Sequence, residues 1–461
     1  MKFLDEKYFE TANKNREECK KQALVQRNYL TNESTAKYHG RAVYTMFMPK
    51  LFSEKETEKF KSIVEMSNRI FNKVIKRYCE NAEFRKAFGF SKELEELILL
   101  DNGYENVIPV SRIDIFFNED EKSSDYMDFK FCEINTDGSS AMNEDRELVT
   151  AVKKTGVFNE FEKEYELKSF ELFDSLVDEF LKIYETYGKK VENPNIVITD
   201  FTENATSEEF KQFKKAFERK NLNCEIVDIR DFEYQNGVLK TPNKMKVDLV
   251  YRRAVTADIM KNYDFVQPFL NAVKDGTVCL MGSFRTQVVH TKTLFEVLCN
   301  TKLTSLFLEK DELEFIENHI PKTFELSREN KLINIDKIKK ERKKWIVKPT
   351  DSYGSKNVLS GVECENDEEW AEFIDNCLEL DDKYIVQEFI TPYRSKNLDF
   401  IDGNGFEDIK EYFNLTGLFS YGGKFSGVYS RVAQNEVIST VYSEIASVSY
   451  THLRAHETTL H

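Results

Sequence analysis

Residues 127–148, MDFKFCEINTDGSSAMNEDREL, constrain the fold more than any other stretch of the chain. Read as a strand, the first part alternates faces, so Phe129 and Phe131 share a face with Glu133 and Asn135. Upstream, residues 110–116 read as a second strand, with Arg112 and Asp114 two apart on one face. The acidic, turn-like link 118–125 makes a hairpin the simplest pairing. A hairpin gathers Arg112, Asp114, Glu133 and Asn135 at adjacent strand ends. Two carboxylates and an amide oxygen are hard donors of the kind Mg2+ accepts, with phosphate oxygens and waters completing an octahedron. Arg112 beside them is placed to meet phosphate in fork geometry. The competing reading is a solvated surface hairpin, because half-exposed strands alternate in the same way. Two features weigh against it. Residues 136–140 are a small, polar loop, and residues 143–148 look like a capped helix start. A strand, a small-residue loop and a helix N-terminus together favour an anion.

Composition narrows the class. A chain of 461 residues has length for two or three domains or one multi-lobed enzyme. At 41% hydrophobic and 13% aromatic it has the material for a large core. The formal charge of −15 argues against nucleic acid and against an anionic membrane surface as partners. No apolar run approaches the roughly 20 residues of a membrane span. The start, MKFLDE, lacks a signal-peptide core, and cytoplasm is the expected compartment. The eight cysteines form no C-x-x-C pair, so neither a zinc site nor a disulfide framework is expected.

The last residues have a separate origin in this reading. From Val448 to Thr458 the sequence matches a translated transposase sequencing adapter. Residues 448–461 are therefore set aside as a non-native tail, with the natural C-terminus expected to lie beyond this sequence.

Residues 1–105 read mainly as helix. Phe60, Ile63, Val64, Ile70, Phe71, Val74 and Ile75 recur near helical spacing behind Ser53, a candidate N-cap. Residues 38–41, around His39, are either a substrate loop or an ordinary connection. After the hairpin, helices run to about residue 187. Then short apolar runs at 195–200, 224–228 and 247–253 alternate with helix, which implies a parallel α/β unit. No G-x-G-x-x-G is present. Arg252 and Arg253 end the third run, where such sheets place ligands, so either an anion contact or a structural ion pair is expected there. Residues 282–285 open a helix carrying Lys292. A strand at 345–349 ends in Lys348 and Pro349 and runs into a loop around Gly354, whose small residues let backbone amides approach phosphate. Another strand covers 384–390, and a hairpin turns at 421–424, with Arg431 near its end.

Taken together, R-x-D at Arg112 and Asp114, E-x-N at Glu133 and Asn135, the ordered lysines Lys292 and Lys348, and the Gln387-Glu388 strand resemble the glutathionylspermidine synthase-like ATP-grasp family, including its circularly permuted members. The resemblance covers about residues 108–440. It implies a multi-lobed α/β ATP-grasp fold with a pre-ATP-grasp-like parallel domain and the metal pairs preceding the nucleotide lobe. The implied divisions are a helical region at 1–105, the metal hairpin and helices at 106–190, the parallel domain at 191–300, a mobile nucleotide lobe at 301–391, and a return to the core at 392–447. It implies Mg2+ on Asp114, Glu133 and Asn135, and ATP phosphates on Arg112, Asp114, Lys292, Lys348 and the Gly354 loop. Adenine would lie on Gln387, Glu388, Phe389 and Ile390, with Val437 and Ile438 near the nucleotide. Arg112 and Arg431 would attend the reacting phosphoryl group, and Ser139, Arg252 and Arg253 the substrate. The implied activity is an ADP-forming carboxylate–amine ligase acting on small molecules: a peptide, polyamine or amino acid. No amidase nucleophile is evident, since Cys19 and His39 stand alone. The alternative is a nucleotide-binding ATP-grasp protein without turnover. Assembly into a homo-oligomer is left open.

Overall fold

The computed structural model describes residues 2–14, 16–38, 40–203, 205–351, 357–380, 382–398, 409–438 and 444–455. His39 and Gly354 lie outside the described residues.

The N-terminal region is helical, with helices Phe3–Lys14 and Arg16–Asn32 preceding the long helix Glu54–Glu80. Ser53 caps the last one: its hydroxyl accepts from Glu56 N at 3.2 Å, while the Glu56 carboxylate accepts from Ser53 N at 2.8 Å. This reciprocal pair satisfies two donors that a helix start otherwise leaves orphaned. The Phe60-to-Ile75 stripe is buried against the central sheet, where Phe60 meets Phe117 edge-on, 4.8 Å between ring centres.

That central sheet is antiparallel, in the order Ile445–Ser447, Lys424–Ala433, Lys410–Tyr421, Val110–Phe117 and Phe129–Asn135, with Arg394–Asn397 paired to Lys410–Tyr421. The expected hairpin at 421–424 is present, and its turn is made by Gly422 and Gly423 at φ of 57° and 83°.

One expectation fails at the first hairpin. Phe131 and Glu133 do not share a face. Asp114 pairs with Glu133 and Ile115 with Phe131, so Cys132 is the extra residue of a β-bulge. The bulge reverses the alternation. Phe129 and Phe131 enter the core with Ile113, Ile115 and Phe117, while Glu133 and Asn135 stand opposite Asp114 and Arg112 on the other face.

The predicted parallel unit is a sheet in the order Cys279–Met281, Leu249–Arg252, Ile196–Asp200 and Cys224–Asp228, every neighbouring pair parallel. Sequence reading missed its edge strand Cys279–Met281, which has only three residues.

The region expected to be the nucleotide lobe contains an antiparallel sheet in the order Thr323–Glu325, Tyr384–Glu388, Trp345–Pro349 and Leu359–Ser360. It has its own core around Trp370, Ile374, Val347 and Val386. The lobe begins later than residue 301. Helix Lys310–His319 belongs to the main body, because His319 stacks on Phe129 at 3.8 Å and Phe315 packs on Phe131, on the core face of the first hairpin.

The tail is also corrected. Ser449–Ala455 forms a strand, parallel to Lys50–Phe52 and antiparallel to Tyr165–Ser169. Val448 and Tyr450 are fully buried there, and Tyr450 packs on Phe158 at 4.8 Å. A strand on each side and an unbroken run of buried side chains, Val448 to Thr451, bring this segment into the fold.

Candidate active site

The site face of the central sheet is organised on Asp114, which is fully buried. Arg112 donates Nε to Asp114 Oδ1 at 2.7 Å and Nη2 to Oδ2 at 3.0 Å, a two-pronged pair. Arg431, on strand Lys424–Ala433, donates Nη2 to Asp114 Oδ2 at 2.8 Å and Nη1 to Glu444 Oε2 at 3.4 Å. Asn135 Nδ2 reaches Asp114 Oδ2 at 3.3 Å and Glu133 Oε1 at 3.4 Å. Thus Arg112, Asp114, Glu133, Asn135 and Arg431, up to 319 positions apart in sequence, meet on one face.

Glu133 is the ionised acid of this group. Burial alone would raise its pKa, but the nearby Lys292, Arg431 and Arg112 outweigh it and hold the carboxyl at about 2. Lys292 feels the reverse: burial pulls its ammonium below the usual lysine range, against the attraction of Glu133. Among the described residues, no three His, Cys, Asp or Glu side chains are grouped to hold a metal. The donor set here is two carboxylates and an amide. Glu133 fits a hard divalent cation, since it stays charged, and Asn135 turns its NH2 to the acids and its oxygen the other way. Asp114 is differently employed: two guanidinium groups and the Asn135 amide already occupy its oxygens. For Asp114 to ligate a metal, one of these donors has to leave.

Lys292 does not lie within one helix, as expected. It falls between helices Gln287–His290 and Thr293–Cys299. The break has a cause: Lys292 N donates to Thr350 O at 2.9 Å and Thr291 Oγ1 to the same oxygen at 3.1 Å, where a continuous helix would bond back on itself. Thr350 lies two residues after Lys348, so this contact brings the two lysines near each other, and the Lys348 charge adds to the downward pull on the Lys292 ammonium. Lys348 is buried and donates to Gln387 Oε1 at 2.8 Å.

Several expected ligand contacts are consumed internally. The anion at the N-terminus of helix Met142–Lys153 is Glu209 of the parallel unit, whose Oε2 accepts from Met142 N at 2.8 Å and Asn143 N at 3.1 Å. Its other oxygen accepts from Arg253 Nη2 at 2.7 Å, and Arg253 Nη1 donates to Tyr251 OH at 3.0 Å. Arg252 is fully buried, paired with Asp137 at 2.7 Å and donating to the carbonyls of Gly282 and Ala254. Ser139 Oγ donates to Asn135 O at 2.6 Å. Ser139, Arg252 and Arg253 thus each hold an internal contact at the positions where a substrate role was expected of them. Of the adenine set, Gln387 points inward to Lys348 and Thr323, Glu388 is exposed, and Phe389 and Ile390 are half-buried. Val437 and Ile438 are half-buried just beyond strand Lys424–Ala433.

Gly417 was missed. It pairs with Asp114, and a Cβ there would lie 2.8 Å from Asp114 Oδ1 and 3.0 Å from both Arg112 Cδ and Tyr429 O. The available signal was a lone glycine inside the run NLTGLF. Gly417→Ala is expected to lower stability by about 1–3 kcal/mol through overpacking, read by urea unfolding. A neutral effect would separate Gly417 from the Arg112–Asp114 pair.

Searches by sequence give nothing: no family model matches the chain, and no curated protein matches it. Comparison of structures does. A glutathione synthetase-like effector from Globodera pallida, in its apo form, matches at a TM-score of 0.62 and 14% identity, covering 95% of this chain and 98% of the other. At that identity the likeness is one of fold, and it extends over nearly the full length of both chains. A candidate gamma-glutamylcysteine synthetase from Methylobacillus flagellatus KT matches at a TM-score of 0.41 and 8% identity, over 80% of this chain and 83% of the other, too loosely to place any element.

Proposed function

We propose that the chain is an ATP-grasp ligase that joins a carboxylate to an amine with release of ADP and phosphate. One observation carries this reading. Glu133, a charged carboxylate hydrogen-bonded to Asn135, faces three cationic side chains, Lys292, Arg431 and Arg112, and Lys348 of the nucleotide lobe stands near Lys292. Such a place suits a polyphosphate with its metal. Glu133 and Asn135 would hold Mg2+, which when bound offsets the charge of the phosphates.

A carboxylate resists attack by an amine because hydroxide is a poor leaving group. Phosphoryl transfer from ATP makes an acyl phosphate, and the amine then displaces phosphate. In this chain Lys292 and Lys348 bind and orient the phosphates, and Arg112 and Arg431 neutralise charge as the phosphoryl group moves. Burial of the site excludes water from the activated acyl group. No protein nucleophile is required.

The fold counterpart is named for glutathione synthetase and the sequence motifs resemble glutathionylspermidine synthase, so glutathione-forming and glutathione-consuming substrate pairs are the first to test. The metal pairs precede the nucleotide lobe, the order of the circularly permuted members. The decisive experiment is an ADP-release screen of carboxylates against amino acids and polyamines. ADP release above background only when both partners are present is expected. ATP binding without substrate-dependent ADP would favour the second reading, a nucleotide-binding protein without turnover. The occupation of Asp114 by two guanidinium groups is the observation on that side.

A further inference from the structure

Three side chains of the nucleotide lobe form a hydrogen-bonded chain with one consistent orientation. Thr323 stands opposite Gln387 across one strand pair, and Lys348 lies diagonal to Gln387 across the next, all on one face of the sheet. Thr323 Oγ1 donates to Pro321 O at 2.8 Å. A hydroxyl has one proton, so only its lone pairs remain for Gln387. The group that meets it, at 2.8 Å, is therefore the Gln387 NH2. The amide oxygen then has to face away, where Lys348 Nζ donates to it at 2.8 Å. Relative exposures of 1%, 2% and 9% for Thr323, Gln387 and Lys348 keep water from competing.

The chemistry of the acceptor matters. An amide oxygen directs an ammonium without cancelling its charge, whereas a carboxylate would neutralise it. Lys348 is thus aimed while its full charge stays available to an anion. With one N–H on Thr323 and one lone pair on Lys348, and only 2% exposed, the Gln387 side chain lies along the sheet between its neighbours rather than turned out to a nucleobase.

We infer that Gln387 is a positioning residue, which aims the Lys348 ammonium at the nucleotide phosphates and leaves the base to other groups. This rests on the reading that Lys348 meets ATP phosphate.

The test is calorimetric binding of ATP, and displacement by adenosine, in Gln387→Met, Lys348→Ala and the double variant. Methionine keeps the length of the side chain and removes the acceptor. Gln387→Met is expected to weaken ATP about tenfold, the worth of one hydrogen bond to a charged group, with adenosine unchanged. Added to Lys348→Ala, it is expected to cost nothing more. Equal losses for ATP and adenosine, or additive losses in the double variant, overturn the inference and return Gln387 to the base. Unchanged ATP affinity in Lys348→Ala overturns the phosphate assignment instead, and the two failures are distinguishable. Should Gln387→Met not fold, Gln387→Glu serves: weakened ATP with wild-type adenosine is expected, and wild-type affinity for ATP counts against the inference.

Discussion

Glu133→Gln is expected to reduce Mg2+-dependent ADP release by more than about 100-fold while the protein remains folded. Outer-shell partners of a metal already cost ~10–100-fold when removed, and a direct ligand costs more. Glutamine keeps the shape and one oxygen but loses the charge that faces Lys292, Arg431 and Arg112. The same loss has a pH signature. The folded carboxyl titrates at about 2, below its ordinary 4.5, so its charge stabilises the fold above pH 4.5 and that contribution disappears as pH falls through 2. The melting-temperature gap between wild type and Glu133→Gln should therefore be largest at neutral pH and close in acid. Wild-type turnover in the variant would take Glu133 out of the site.

The second large effect is on stability. Asp114→Ala is expected to cost about 3–5 kcal/mol in urea unfolding, because it strands the partly or fully buried guanidinium groups of Arg112 and Arg431. The loss comes from uncompensated charge, so changing Arg112 to Met in the same protein should recover part of it. A cost under about 1 kcal/mol would mean that water, and not Asp114, balances these arginines.

What was legible in the sequence was local or periodic. Ser53 and the stripe behind it announced the long helix, and the R-x-D and E-x-N spacings announced the pairing of Arg112, Asp114, Glu133 and Asn135. Strand alternation failed at Cys132, since a bulge is a property of the pair of strands and not of either one. Arg431 was reached only through family resemblance, because nothing within its own strand points to a partner 317 positions away. Glu209 could not be found at all. An acid in the first turn of a surface-type helix has an ordinary place, and its capture by Met142 and Asn143 depends on how two units are set against each other. The same holds for Arg252, whose strand-end position is equally suited to a ligand or to Asp137.

Those two contacts bear on how the molecule comes apart. Asp137 and the start of helix Met142–Lys153 belong to one segment, Glu209, Arg252 and Arg253 to another, yet each side completes the other's charges. Losing the parallel unit would leave the first helix turn without its acid, and losing the central sheet would leave Arg252 without its partner. Thermal melting should then pass through one cooperative transition in both, however separable their strand patterns look. An intervening unit of this kind behaves as a keystone rather than as an insertion.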